Sequence, residues 1–484
     1  MKNTKRWHRN LVVSALAVLA WLGLFCNDIR AAEPSKALYF DGNGSYLELP
    51  PHVLDGYEAL TVGAWVRVER IGFNTPFFDF GTQKDRLASE WCSSFRVITG
   101  VPGKFGLGVM EGLLSPWDKI GWVHLAVTAD GKSFRAYLNG VEVLGRTNLQ
   151  PFHPGGDGSR YYFGKDTFGG EAEDYSGFMD DIHIWNRVLL PEQIAQEIAK
   201  SSPWGAVGLV GLVNNSIQQV RDQAGNIKPV KFNGNLHWKQ SDRDPSVVPA
   251  TLTRHLLTLH FPDSVKDLST IGVTIANVRE GVLGNIQYTL LSQINLDQFV
   301  TNSAGQRSYQ LKLDWLPTEL PDNIYLFGNQ VDQGIGSIKW FDRIPVGRSG
   351  SNLIITNSLV ISPLENRVVD KEVIVAIQNA IKQGREVVVG ISLLSNLGFK
   401  DLATEALIPA AKVGGFKSYA AKTLLRREVP ASLSDFYQVR HSPSASFLGG
   451  IVASLALVLG CLWIFNRDMR SALWLSLACV PYAF

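Results

Sequence analysis

The chain has few cysteines, and their positions exclude a disulfide-stabilised central region. Four cysteines occur among 484 residues. Cys26 lies in an apolar N-terminal run, Cys461 and Cys479 lie in apolar C-terminal runs, and Cys92 alone lies between them. Because a single cysteine cannot form an intrachain disulfide, this central region must be stabilised by packing or by a bound metal.

An excess of charge of one sign is also missing. The 46 Lys and Arg residues nearly balance the 44 Asp and Glu residues, which leaves a formal net charge of +2. This balance argues against a polyanionic partner, and we predict no nucleic-acid binding. The hydrophobic fraction of 45% and the length are typical of a folded protein of two or three domains.

Catalytic motifs are absent as well. The sequence contains no GxSxG, HExxH, P-loop or CxxC motif. His124 in "WVHLAV" has no Ser, Cys or acidic residue in a triad-like context, so we interpret it as a structural histidine. These absences favour a non-enzymatic role.

The N-terminus has the residue pattern of a targeting segment. Basic residues precede the apolar run 11–26, and small residues follow at Ala31 and Ala32. This order predicts a signal peptide over residues 1–32, with an uncleaved anchor as the alternative.

A second long apolar run predicts a membrane anchor near the C-terminus. Residues 447–465 carry no charge and are long enough to span a bilayer. Arg467 and Arg470 follow at once, which predicts that they are cytoplasmic and that residues 33–446 are extracytoplasmic. Residues 471–484 are expected to begin a second transmembrane segment of a longer protein.

Residues 36–185 have the pattern of a β-sandwich. The segment "LTVGAWVRV" alternates apolar and other residues with a period of two, and Asp130-Gly131 and Asn139-Gly140 are dipeptides that favour tight turns. We therefore predict a mainly β protein with an N-terminal antiparallel jelly-roll sandwich, a second β or α/β module and then a transmembrane helix.

Four segments carry a more specific resemblance. In order they are "ALYFDGNGSYLELP", "LTVGAWVRV", "GWVHLAVTADGKSFRAYLNGVEV" and "GFMDDIHIWNRVLLPEQI". Over roughly residues 36–200 the chain resembles the laminin-G-like, concanavalin-A-like jelly-roll family of secreted and surface proteins. The resemblance implies a jelly roll that binds a glycan or protein ligand. Ser45 stands where the family commonly has a second acidic residue after Asp41-Gly42, which weakens a binding role for that loop.

Composition and pattern divide the remaining chain. We predict the jelly-roll domain with a C-terminal extension over 33–242 and a polar linker over 243–251. A β-rich domain is expected over 252–350 and a small α/β membrane-proximal region over 351–440, because "SNLIITNSLVI", "VDKEVIVAIQNAIKQGR" and "EVVVGISLL" suggest strand, helix and strand.

The adjacent carboxylates Asp180 and Asp181 are the first candidate site. Alternation places Asp180 on the same face as Ile182 and Ile184 and turns Asp181 to the other face, so the pair cannot act on one substrate atom. A carboxylate that enters a core face must be paired, hydrogen-bonded or metal-bound. The resemblance implies a calcium ion held by Asp41, the Gly44 carbonyl and Asp180. The alternative is that Asp180 caps backbone amides.

The loop between Phe152 and Gly177 is the second candidate site. It combines seven glycines with acidic and aromatic residues, a mixture that suits sugar hydroxyls and pyranose faces. The predicted ligand-binding residues are Tyr161, Tyr162, Asp174 and Tyr175. The alternative is a solvated turn cluster with Tyr161 or Tyr162 in a strand.

Together these features predict a membrane-anchored, extracytoplasmic recognition protein for a glycan or protein ligand. A sensor role in a longer signalling chain is one form of this hypothesis. The alternatives are an envelope carbohydrate-active enzyme that uses the jelly roll as a targeting module, and a structural surface protein.

Overall fold

The computed structural model describes most of the chain between residues 35 and 410. The described ranges are 35–70, 75–82, 85–92, 94–99, 108–109, 120–147, 153–167, 174–247, 249–261, 271–290, 299–301, 307–316, 320–330, 338–349, 352–364, 368–383 and 387–410. The predicted signal peptide and both apolar C-terminal runs lie outside these residues.

The first part of the described chain is a sandwich of two antiparallel sheets and one helix, α1 (Pro191–Ala199). Its strands are β1 (Lys36–Asp41), β2 (Tyr46–Glu48), β3 (Leu60–Arg70), β4 (Thr75–Gly81), β5 (Arg86–Cys92), β6 (Ser94–Thr99), β7 (Gly108–Val109), β8 (Val123–Ala129), β9 (Phe134–Leu138), β10 (Val141–Arg146), β11 (Arg160–Phe163), β12 (Ser176–Trp185), β13 (Leu209–Val213), β14 (Gln218–Arg221), β15 (Ile227–Pro229), β16 (Lys231–Asn233) and β17 (His237–Gln240).

The two sheets are here called sheet I and sheet II. Sheet I runs in the order β10-β9-β8-β3-β12 and then divides. The first half of β12 pairs with β1, which pairs with β17, and its second half pairs with β13, which leads to β14 and β15. Sheet II runs in the order β16-β2-β11-β4-β5-β6-β7.

The alternation of residues explains why the sheets face each other. Val62, Ala64, Val66 and Val68 of β3 belong to one buried cluster with aromatic side chains of sheet II, among them Phe80. Their neighbours in sequence point to the opposite face of sheet I. The mainly β sandwich predicted for this part of the chain is confirmed.

Helix α1 covers part of the outer face of sheet I. Pro191 occupies its first turn, where the missing N–H costs nothing, and the Leu190 N–H donates to the Gln193 side chain at 3.0 Å. Ile194 of the helix is buried with Tyr137 and Trp185 of the sheet. This face of the sandwich is therefore partly closed by its own chain.

The second part of the described chain is also built of sheets. Its strands are β18 (Thr253–His260), β19 (Ile271–Arg279), β20 (Val282–Leu290), β21 (Phe299–Thr301), β22 (Arg307–Trp315), β23 (Asn323–Gln330), β24 (Ile338–Ile344), β25 (Val346–Ser349), β26 (Asn352–Ile355) and β27 (Ser358–Val360). One sheet runs β21-β22-β18-β27 and the other β20-β19-β23-β24, while β25 and β26 form a hairpin. Strand β27 pairs in parallel with β18, so residues 358–360 belong to this unit.

Three helices follow, α2 (Lys371–Lys382), α3 (Val387–Asn396) and α4 (Lys400–Ala410). The strand predicted from "EVVVGISLL" is wrong, because this run forms most of α3. A short, continuously apolar run does not distinguish a buried strand from a buried helix. Here Val387, Ile391 and Leu394 are buried with residues of α2 and α4.

The predicted transmembrane helix and the membrane localisation need correction. Among the described residues no helix is long and apolar enough to cross a membrane, and the longest of them, α2, has 12 residues where a span needs about 20. The described fold is therefore mainly β with short helices, and the assignment of residues 33–446, Arg467 and Arg470 to the two sides of a membrane is not supported. The predicted span itself, 447–465, lies outside the described residues.

Candidate functional site

Asp180 and Asp181 lie at a β-bulge in β12. The pairing of β12 with β3 shifts register between Asp180 and His183, and Asp181 has a φ of 44°. Asp180 lies opposite Trp65 on the outer face, whereas Ile182 lies in the core. The prediction that Asp180 shares a face with Ile182 is wrong because the bulge inserts one residue into the alternation.

Both carboxylates bind one buried arginine. Arg243 Nη1 donates to Asp180 Oδ2 at 2.5 Å and to Asp181 Oδ2 at 2.9 Å. The Arg243 guanidinium carbon lies 4.7 Å from the centre of the Trp65 ring. Arg243 comes from the segment predicted as a polar linker, so the beginning of that segment is docked on sheet I. We call Asp180, Asp181, Arg243 and Trp65 the arginine cluster.

The electrostatics of the arginine cluster are those of a buried ion triad. Burial and the neighbouring charge of Asp181 raise the pKa of Asp180 to about 6 despite Arg243. Burial also acts to raise the pKa of Asp181, but Arg243 and His183 hold it below its ordinary value. The oxygens of both residues are thus used in holding a chain segment, which is a structural role.

The residues predicted to bind calcium are not brought to one point. In the pairing of β1 with β12, Asp41 lies opposite Ser176, four residues before Asp180, which corresponds to about 13 Å along a strand. Asp41 Oδ1 accepts hydrogen bonds from the Asn43 N–H at 2.9 Å and the Ser45 hydroxyl at 2.7 Å. Among the described residues no group of three or more His, Cys, Asp or Glu side chains is placed to hold a metal. The three predicted ligands therefore do not fit one calcium ion, and calcium binding itself stays a prediction.

Two of the predicted ligand-binding tyrosines are core residues. Tyr161 is fully buried and donates its hydroxyl to Asp55 Oδ1 at 3.2 Å. Tyr175 is also fully buried, and its hydroxyl donates to backbone carbonyls of Arg67 and Phe178. Neither ring is open to a ligand, so their aromatic character serves the packing of the sandwich.

Tyr162, in contrast, lies on the outer face of sheet II beside Tyr46. The two half-buried rings are 4.8 Å apart between centroids and are tilted by 56°. Tyr162 pairs with Glu48 across β11 and β2, and Glu48 pairs with Lys231 of β16. Glu48 accepts hydrogen bonds from Lys231 Nζ at 3.1 Å and Asn233 Nδ2 at 3.0 Å. We call Tyr46, Glu48, Tyr162, Lys165 and Asn233 the tyrosine face.

A buried aspartate fixes one side of the tyrosine face. Asp79 lies opposite Tyr162 and binds Arg86 through two hydrogen bonds of 3.1 and 2.7 Å. Asp79 Oδ2 also accepts the Thr167 N–H at 3.0 Å and the Thr167 hydroxyl at 2.9 Å. These bonds hold residues 164–167 on the sheet, where Lys165 Nζ lies 4.4 Å from the centre of the Tyr46 ring.

Asp174 lies near the tyrosine face. Its Oδ2 accepts the Gly44 N–H at 2.7 Å, and Lys165 is among the charges that act on it. Burial raises the pKa of Asp174 above its ordinary value. Of the four predicted ligand-binding residues, Tyr162 lies on the tyrosine face and Asp174 lies beside it, whereas Tyr161 and Tyr175 are buried in the core.

The sequence contains a family signal that matches this sandwich. Residues 41–195 match the family model of the Concanavalin A-like lectin/glucanases superfamily. This segment is a laminin-G-like domain. The match covers less than half of the chain, and a search of curated proteins found no match.

Three solved structures to which the chain is similar have low identity and low TM-scores. A protein of Bacteroides ovatus ATCC 8483 to which carbohydrate binding has been attributed is 18% identical at a TM-score of 0.34, over 43% of this chain and 61% of that chain. A heptameric SAP-like pentraxin from Limulus polyphemus is 15% identical at a TM-score of 0.29, over 41% and 95%. Domain 4 of AbnA, an extracellular arabinanase from Geobacillus stearothermophilus solved with arabinotriose, is 21% identical at 0.27, over 33% and 75%. Similarities this low carry no information about a ligand.

Sequence reasoning missed several residues of the laminin-G-like domain that matter here. Tyr46 and Glu48 alternate with the buried residues Leu47 and Leu49, a pattern that would have placed both on the solvent face. Arg243 gave no such signal, because its partner carboxylates are more than 60 residues away in sequence.

Removal of the Arg243 charge should strongly destabilise the laminin-G-like domain. In Arg243→Met, Asp180 and Asp181 stay buried without a cation, and we expect a loss of about 3–5 kcal/mol in the free energy of unfolding. Urea unfolding of the full chain at neutral pH measures this loss in the free energy of unfolding. Lys231→Met is the matched control, because its pair with Glu48 is exposed and its loss should leave stability almost unchanged. Equal losses in the free energy of unfolding in the two variants would contradict a stabilising role for the buried ion triad.

Acid should destabilise the same domain through His124. Burial, followed by the charges of His183 and Arg243, lowers the pKa of His124 to about 3, against 6.5 in an unfolded chain. As the pH falls from about 6.5 towards 3, the unfolded chain therefore binds a proton that folded His124 does not. The contribution of His124 to the free energy of unfolding therefore falls by up to about 1.4 kcal/mol for each pH unit between about 6.5 and 3.

Urea unfolding of wild type and His124→Phe at pH 7 and pH 5 tests this linkage. The variant lacks the titrating group, so its stability should depend less steeply on pH than that of the wild type. Parallel pH dependences would show that His124 does not contribute.

Calcium dependence is tested by melting the full chain in calcium chloride and in EGTA. Because Asp41 and Asp180 each have other partners and lie apart, we expect any difference between the two melting temperatures to persist in Asp41→Ala. A higher value in calcium that is lost in Asp41→Ala would restore a calcium site at this turn.

Proposed function

We propose that the laminin-G-like domain is a carbohydrate-binding module and that the tyrosine face is its sugar-contacting surface. The observation that carries the proposal is the half-buried Tyr46–Tyr162 pair on the outer face of sheet II, with rings 4.8 Å apart. The superfamily match to lectins and glucanases supports a sugar as the ligand class.

The tyrosine pair supplies the apolar part of the contact. Pyranose rings carry C–H groups on their faces, and these stack on aromatic rings such as those of Tyr46 and Tyr162. The rings are held from below by the strands that also carry Leu47 and Phe163 into the core. A rigid ring costs little side-chain entropy when a ligand binds.

The flanking groups supply the polar part. Glu48 accepts hydrogen bonds, Asn233 and Lys165 donate them, and burial together with Glu48 raises the pKa of Tyr162, so its phenol keeps its proton and donates. Sugar hydroxyls both donate and accept, which matches this mixture. Each exposed polar contact contributes only about 0.5–1.5 kcal/mol, so the affinity for a single sugar should be modest.

Binding of the full chain to a glycan array tests the proposal. We expect at least one glycan to bind, and we expect Tyr162→Ala and Tyr46→Ala each to weaken that binding by roughly tenfold or more, the equivalent of about 1.4 kcal/mol. Surface plasmon resonance with the identified glycan gives the Kd values.

Two control variants separate this surface from the rest of the domain. Tyr39→Ala removes a half-buried tyrosine from the outer face of sheet I, and Tyr161→Phe removes a buried hydroxyl from the core; both should bind like the wild type. An array with no hits, or binding that survives both Tyr46→Ala and Tyr162→Ala, would reject the sugar proposal. In that case the hypothesis that the domain binds a protein ligand is favoured.

The enzyme and signalling hypotheses stay predictions. The described residues place no facing pair of carboxylates on the tyrosine face, since Glu48 binds Lys231 and Asn233. A retaining or inverting glycosidase needs two such groups about 5 to 9 Å apart across the bond that is cleaved. Recognition without catalysis is therefore the function that the tyrosine face supports best.

A further inference from the structure

A small cavity lies between sheet I and helix α1, whereas the tyrosine face lies on sheet II. Its sheet side includes Gly63, His124 and His183, and its helix side includes Ile194 and Glu197. The centre of a water molecule has about 10 Å³ in which to move there, which is room for roughly one water.

The cavity exists because the central strand carries a glycine. Gly63 of β3 lies opposite His183 of β12 on one side and Ala126 of β8 on the other, and His124 lies two residues from Ala126 on β8. Two histidines on the flanking strands thus face a position that has no side chain. A Cβ atom built on Gly63 would lie 3.5 Å from His124 Cε1 and 3.6 Å from His124 Nε2, which are ordinary contacts.

Both histidines line the cavity, and each ring has one nitrogen without a partner. His183 and His124 are 3% and 4% exposed, and neither His183 Nε2 nor His124 Nδ1 has a hydrogen-bond partner in the described part of the protein. His183 Nδ1 lies 2.8 Å from the Asp181 carbonyl and must donate to it, which leaves Nε2 for a hydrogen bond to another group. Buried polar atoms of this kind are costly unless they are hydrogen-bonded.

Glu197 of α1 adds a third polar group at the same place. Its Oε2 lies 4.0 Å from His183 Nε2, which is too long for a direct hydrogen bond. The carboxylate also accepts from the Ser202 hydroxyl and N–H, which fixes its position at the end of the helix. A water molecule needs two to four polar partners, and this number is available here.

We propose that the cavity above Gly63 is a buried hydration site in which one water molecule joins His124 and His183 of sheet I to Glu197 of helix α1. The water lies between His183 Nε2 and the Glu197 carboxylate, hydrogen-bonds to both, and makes its third hydrogen bond to His124 Nδ1. It thereby satisfies three groups that the protein alone leaves apart. The site connects the helix to the sheet through hydrogen bonds, in addition to the apolar contacts of Ile194.

The substitution Gly63→Ala tests the proposal, because the added methyl group fills the cavity without a steric clash. If a water is present, Gly63→Ala displaces it and leaves the histidine nitrogens unpaired, and the melting temperature of the full chain falls by about 2 °C or more. If the cavity is dry, the same change fills a void and restricts the unfolded chain, and the melting temperature rises or stays the same. That second result would overturn the proposal.

The matched control is Gly347→Ala in strand β25. A Cβ atom there also meets only ordinary contacts, 3.6 Å from Ile354 Cβ, and no unpaired polar atom is adjacent among the described residues. We expect no fall in its melting temperature. An equal fall in melting temperature in both variants would show that the effect comes from the loss of a glycine and not from the loss of a water molecule.

A crystal structure at about 1.5 Å resolution provides an independent test of the hydration site. We expect a density peak within about 3.2 Å of both His124 Nδ1 and His183 Nε2. A cavity without density would refute the hydration site even if Gly63→Ala were destabilised. A melting temperature raised by zinc chloride and restored by EDTA would also refute it, since the site would then bind a metal ion.

Discussion

The packing on sheet I depends on the ion triad of Arg243 with Asp180 and Asp181. Arg243 is only 8% exposed, and its charge is compensated by two carboxylates presented by a single bulge. Without the bulge one of the two aspartates would point into the apolar core and away from Arg243. The local break in alternation and the docking of the chain after β17 are therefore two parts of one arrangement.

This docking closes much of the outer face of sheet I. Beside Arg243, Asp242 accepts hydrogen bonds from Trp122 Nε1 at 2.8 Å and from Arg67 Nη1 at 2.5 Å. Helix α1 covers the neighbouring region around Trp185. The laminin-G-like domain thus uses its own chain to cover one outer face, while the outer face of sheet II retains half-exposed aromatic and charged groups.

The sequence predicted the sandwich well because the signal is local. Alternation in segments such as "LTVGAWVRV" specifies a strand and its buried face from neighbouring residues alone, although the partners of this strand, β8 and β12, lie far along the chain. The glycine turn at Asn139-Gly140 joins the paired strands β9 and β10 directly. The site residues were harder to predict. Tyr161 and Tyr162 are adjacent and chemically identical, yet one is fully buried and the other half-exposed, and only the register of β11 decides which. The bulge at Asp181 and the pairing with Arg243 depend on distant residues, so periodicity alone could not reveal them.

The buried bonds from Asp79 to Thr167 bear on the thermodynamics of recognition. Residues 164–167 are fixed against sheet II when the domain folds, so the ordering of this segment is complete before any ligand arrives. A receptor of this kind loses little conformational entropy on association and exposes or buries little additional surface of its own. Calorimetry on such a surface would record a heat-capacity change to which the folding of residues 164–167 makes no contribution.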